Sequence, residues 1–98
     1  SDYRLKENEV AISDGITRVK QLKPYKFNFK VDTDKTVDGF FAHEVSGIVP
    51  EAISGEKDGE RMQGIDQSKL VPLLTGALQE AITKIETLET KVKALEDA

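Results

Sequence analysis

Cysteine and tryptophan are absent from the 98 residues of this chain, and histidine occurs once. Without cysteine there is no disulfide, no thiolate nucleophile and no Cys-based zinc site, and a single imidazole does not make a metal centre. No cofactor and no metal are therefore expected. Long apolar runs are lacking too, which excludes a membrane span and the core of a secretion signal. Positive charge is in deficit: 14 Lys and Arg face 18 Asp and Glu, for a net charge of −4 and a pI near 5.0. The basic residues are scattered among acidic ones, so neither nucleic acid nor membrane is expected as a partner. Aromatic residues make up 6% and hydrophobic residues 38% of the chain. One domain at most fits this length, and with a third of it in a terminal helix only about 65 residues remain for a core, near the lower limit for independent stability. Help from neighbouring chains is expected.

What is present in abundance is a heptad. From Val71, apolar residues recur at Leu74, Leu78, Ala81, Ile85, Leu88, Val92 and Leu95, with steps that alternate between three and four. That is the seam of a coiled coil, with Val71, Leu78, Ile85 and Val92 at a and Leu74, Ala81, Leu88 and Leu95 at d. Lys84 and Lys91 fall at g, and Glu89 and Glu96 at e, the spacing that pairs g with e on a parallel, in-register neighbour. Such exposed pairs contribute about 0.2 to 1 kcal/mol each and select register more than they stabilise. Strand number stays open: β-branched residues at a favour two strands, whereas Ile82 at e widens the apolar seam toward three.

Ahead of the heptad, Val10, Ile12, Ile16, Val19 and Leu22 suggest a helix over Asn8 to Leu22, closed by Pro24, with Ser13-Asp14 as an alternative, later start. Tyr25, Phe27, Phe29 and Val31 alternate with Lys26, Asn28 and Lys30, the period of a strand with one buried face. A polar turn over Asp32 to Thr36 and a second strand-like stretch from Val37 to Val45 complete a hairpin. Ile48 to Ile53 is short and apolar, Ser54 to Gly64 is a charged, Gly-rich loop, Asp66 or Ser68 caps the last helix, and Pro72 falls in its first turn. The expected fold class is α+β: a globular part over 1–66 with a helix and a short antiparallel sheet, and a long helix over 67–98 that joins parallel chains.

The reactive inventory is thin. Ser1, Lys6 and His43 stand out as candidate nucleophile and bases, yet each has an ordinary reading as a cap, a solvated cation or a backbone-bonded imidazole.

A resemblance over almost the whole chain changes this reading. Ser1-Asp2-Tyr3-Arg4-Leu5-Lys6-Glu7-Asn8 resembles the opening S-D-x-R-x-K-x-N of the intramolecular chaperone auto-processing domains, the peptidase S74 family. Leu22 to Phe29 resembles that family's L-x-P-x-x-F-x-(F/W/Y) strand, and Gly39-Phe40-Phe41-Ala42-His43-Glu44-Val45 its G-F-I-A-(Q/H)-E-(V/L) block. Val49 to Ile53, and Ile65 to Leu74 leading into Ala77 to Glu80, are similar to later blocks in the same order. The resemblance implies a trimeric parallel coiled coil and a C-terminal chaperone of a phage tail fibre, tailspike or endosialidase that trimerises its own upstream fibre and then releases itself. It implies action in the host-cell cytoplasm during virus assembly, with the precursor part of the virion fibre. The alternatives are a trimerisation tag that does not cut, and the equivalent domain of a membrane-tethered transcription factor. The chain begins at the residue where the product of such a cut begins, and it ends shortly after the heptad, which favours the fibre reading.

The resemblance further implies a self-cleaving serine endopeptidase with Ser1 as nucleophile and Lys6 as its base, cutting the bond before Ser1 once. The hydroxyl attacks the preceding carbonyl, the amide becomes an ester, and water hydrolyses the ester. A lysine acts as a base where burial draws its pKa down from about 10.4. Five residues of α-helix turn through about 500°, so Ser1 must lie in a non-helical lead-in to face Lys6. Asp2, Asn8 and His43 are candidate supports, His43 because it comes from another element.

Overall fold

The structure is a computed structural model that describes all residues from Ser1 to Ala98. Its elements run in the order 3-10 turn Tyr3–Leu5, α1 (Gly15–Val19), β1 (Tyr25–Phe29), β2 (Asp32–Gly39), α2 (Ala42–Val45), 3-10 turn Pro50–Ala52, β3 (Ile53–Ser54), β4 (Gly64–Ile65), 3-10 turn Gln67–Leu70 and α3 (Val71–Glu96). The two sheets are antiparallel pairs, β1 with β2 and β3 with β4. The fold is thus α+β with a long C-terminal helix, as the sequence pattern indicates.

Val45, Val49, Ala52, Leu70 and Leu73 form the buried core, ringed by Val19, Leu22, Phe40, Ile48, Ile53 and Ile65. Only 8 of 98 residues are buried, so the chain alone hides little of its apolar surface. Its radius of gyration is 18.6 Å, against about 13 Å for a compact domain of this length. The difference is α3, whose 26 residues extend about 39 Å at 1.5 Å per residue.

Asp66 caps the 3-10 turn Gln67–Leu70 and not the long helix itself, whose cap position is Leu70 without a side-chain bond: the Asp66 carboxylate accepts from the Ser68 amide at 3.1 Å and from the Ser68 hydroxyl. The 3-10 turn it caps runs straight into α3, and Pro72 sits in the first turn, where its missing N–H costs no helical bond.

Three expectations need correction. The long helix over Asn8 to Leu22 is only the five residues of α1, the later start at Asp14. Asn8 takes the left-handed conformation, φ 57°, which ends any helix passing through it, and Gly15 is needed where α1 meets α3, because a Cβ there would lie 2.6 Å from the Ala77 nitrogen. The hairpin turn is Lys30-Val31 and not Asp32 to Thr36, with Phe29 opposite Asp32 and an irregular register between Phe27 and Phe29. Val31 is at the tip and fully outside the strand, and the aromatic face of β1 is largely uncovered, with Phe29 60% exposed. The stretch from Val37 to Val45 divides, with β2 ending at Gly39 and Ala42–Val45 turning into α2. A helical turn is what places Val45 and Val49, four residues apart and joined by Val49 N–H donating to the Val45 carbonyl at 2.9 Å, on one side facing the core.

Candidate functional site

The first eight residues make a compact local structure from their own side chains. Asp2 accepts from the Arg4 amide at 2.9 Å and pairs with its guanidinium through Nε at 3.1 Å and Nη2 at 2.9 Å. This fork holds the 3-10 turn Tyr3–Leu5, closed by Leu5 N–H donating to the Asp2 carbonyl and Lys6 N–H to the Tyr3 carbonyl, each at 3.1 Å. The Arg4 side chain first, and its amide second, hold the Asp2 carboxyl below the usual carboxylate range. Because the turn occupies residues 3 to 5 and is flanked by Asp2 and Lys6 in extended backbone, the side chains of Ser1 and Lys6 meet: Lys6 Nζ donates to Ser1 Oγ at 2.6 Å. Ser1 does lie in a non-helical lead-in.

Asp2 therefore serves the turn through Arg4, a residue that sequence reasoning did not single out. Its signal was the D-x-R spacing, which lets a capping carboxylate also take a guanidinium two residues on. Asn8 forms the corner at which the chain leaves the turn. His43 stands elsewhere: it lies on α2, stacks on Phe41 at 6.1 Å between ring centroids and borders a hollow with Glu56, Asp58 and Arg61. No hydrogen bond joins it to Ser1 or Lys6 within the chain. Every residue from Ser1 to Asp14 is exposed.

Next to His43, Glu44 accepts from the Tyr25 hydroxyl at 3.5 Å and faces Lys23 at 3.7 Å. Burial of the phenol, reinforced by that carboxylate, pushes Tyr25 above its usual range. Tyr25, Phe27, Phe29 and Phe41 wall a hollow of about 370 Å³ on the hairpin. No cluster of three His, Asp or Glu side chains suited to a metal forms.

On α3 two faces are distinct. Leu73 and Ala77 are buried against the globular part, while the heptad residues Val71, Leu74, Leu78, Ile85, Leu88, Val92 and Leu95 are all exposed, as is Ile82. Ala81 is half-buried. Seven large apolar side chains along one helical stripe make the kind of surface that suits packing against another helix.

A family model described as chaperone of endosialidase, Peptidase S74, matches residues 1–54. The long tail fiber protein Gp37 of Escherichia phage AR1 is 28% identical over 87 residues, which cover 82% of this chain and 8% of that protein. The chain thus spans a small part of that relative's length. The family match takes in the Ser1–Lys6 turn, α1, the β1–β2 hairpin, α2 and the core residues Val45, Val49 and Ala52, more than half of the chain. On that ground the chain belongs to the peptidase S74 family, the chaperones of endosialidase.

Proposed function

We propose that this chain is the trimerising, self-releasing chaperone of a phage tail-fibre protein, and that Ser1 and Lys6 cut the peptide bond before Ser1. The 2.6 Å contact between Lys6 Nζ and Ser1 Oγ carries the proposal. Residues 1–66 form the cutting part and 67–98 the joining helix, with Leu70, Leu73 and Ala77 fastening one to the other.

In the reaction a neutral Lys6 amine takes the Ser1 hydroxyl proton as Oγ attacks the carbonyl carbon of the preceding residue. The C–N bond breaks, the departing Ser1 nitrogen receives the proton, and an ester remains. Water then adds to the ester and releases a carboxylic acid from the upstream chain and the free Ser1 hydroxyl. A neutral lysine requires desolvation, yet Lys6 is exposed in the single chain. Coverage by neighbouring chains is the desolvation that the mechanism needs, so cutting follows assembly.

Trimerisation is supported by the exposed heptad and by Ile82 beside it, which a third helix would cover. Joining three chains at one end raises their effective concentration and starts the fibre in register. Cutting afterwards removes the aid, so the fibre persists by a slow unfolding rate. The tail-fibre relative supports a virion component, and assembly in the host cytoplasm is part of the same proposal.

The test is mass spectrometry of a precursor carrying upstream residues. A new amine terminus at Ser1 is expected, and a precursor that stays intact as a trimer would leave only the joining role.

A further inference from the structure

The amino-terminal cap of α1 comes from the other end of the chain. Asp14 occupies the cap position but makes no capping bond; its carboxylate turns to Arg18 at 3.6 Å. The orphan Ile16 amide is instead satisfied by Glu80 of α3, 64 residues away in sequence, with N–H to Oε2 at 3.1 Å. Two further contacts hold the same segment on the same helix. Gly15 lies against the Ala77 backbone, and the Ile12 side chain lies over Gly76, where an added Cβ would come within 3.2 Å of it. Ile12, Gly15 and Ile16 are thus fastened in succession to Gly76, Ala77 and Glu80.

These α3 residues lie off the a and d positions: Gly76 is at f, Ala77 at g and Glu80 at c. The helix can hold this segment and still present its apolar stripe to other helices. Upstream of the fastening, residues 1–11 have no hydrogen bond to any other part of the chain, so the Ser1–Lys6 turn depends on it for its position.

We infer that Glu80 is a positioning residue for the cut: its bond to the Ile16 amide ties the arm that carries Ser1 and Lys6 to α3, the helix proposed to join the chains. The inference rests on the self-cleavage reading above. Misplacement of a reacting group by about 1 Å can cost on the order of 100-fold in rate, so loosening this tie will register in the cut.

The test compares the native precursor with Glu80→Ala and Glu80→Gln, the latter keeping a carbonyl acceptor at the same reach. Expected for Glu80→Ala are an unchanged trimer by sedimentation, faster hydrogen exchange at the Ile16 amide and cutting slowed by about tenfold or more. Glu80→Gln restores slow exchange and a rate close to native. The inference is overturned if Glu80→Ala cuts as fast as native, if Glu80→Gln is as slow as Glu80→Ala, or if cutting falls only because the trimer is lost. An intact native precursor overturns the self-cleavage reading itself, and this inference with it.

Discussion

Arg18 reaches from α1 to the carbonyl oxygen of Ile48, with Nη2 at 2.8 Å and Nε at 3.3 Å. Two donors of one guanidinium converge on one acceptor that immediately precedes the buried Val49, so α1 is held from the core side as well as from α3. Arg18→Ala leaves that carbonyl without its partner. It is expected to lower the stability of the assembled protein by about 1.5 to 3 kcal/mol per chain, read as a shifted midpoint in urea unfolding at fixed protein concentration. An unmoved midpoint would mean that water replaces the guanidinium at no cost.

Ser1→Ala in a precursor is expected to block the cut without blocking the trimer, since one hydroxyl is lost from an exposed turn. Ser1→Cys keeps a nucleophile and should retain some cutting. Lys6→Arg should also stop it, because arginine stays protonated and cannot take the hydroxyl proton. Gel analysis of the three precursors checks this. A fragment beginning at Ser1 from Ser1→Ala, or efficient cutting by Lys6→Arg, would remove that residue from the mechanism.

Ile85 and Leu88 are adjacent layers of the exposed stripe. Replacing both by polar residues should dissociate the protein at micromolar concentration, as truncating a buried Ile or Leu costs about 2 to 5 kcal/mol and each layer recurs in every chain. Sedimentation equilibrium decides the point: native protein at a trimer mass and the variant at a monomer mass. A native monomer or dimer would defeat the three-stranded reading.

Acid should act first on the two local carboxylate structures. Asp2 is held low by Arg4, and Asp66 by the Ser68 hydroxyl first and the Ser68 amide second. A carboxyl whose folded value lies below its unfolded one, about 3.9 for Asp, stabilises fully above the unfolded value and progressively less as pH falls through the folded one. The turn at Tyr3–Leu5 and the lead-in at Gln67–Leu70 should therefore be indifferent to pH from 7 to about 5 and loosen below about 4. Carboxyl titrations followed by NMR check this, and Arg4→Ala should return Asp2 toward its ordinary value.

The sequence made α3 legible because a heptad is periodic and local, and it made Tyr25 to Phe29 legible because alternation is too. The hairpin turn was misread because Asp32 to Thr36 has the composition of a turn, although it belongs to β2, with Asp32 opposite Phe29. The division at Gly39 was hidden because Phe40-Phe41-Ala42 suits a strand, and only the demand that Val45 and Val49 share a core face makes α2 helical. Ser1 and Lys6 could be named through a motif, and Asp2 with them, but Arg4 as the partner of Asp2 depends on a geometry that spacing suggests only faintly. Glu80 falls in a block that resembles the family, yet its capping role left no trace, since its partner is an amide 64 residues away, and a backbone donor has no identity in sequence.

The five aliphatic residues at the centre of the fold, none larger than leucine, also set how the protein responds to temperature. Heat capacity rises on unfolding in proportion to the apolar surface newly wetted, and this centre contributes little of it. A solitary chain would melt over a broad range with a shallow stability curve. Where the stripe along α3 joins neighbouring chains as proposed, it supplies the sharp transition, and the midpoint is expected to climb with protein concentration.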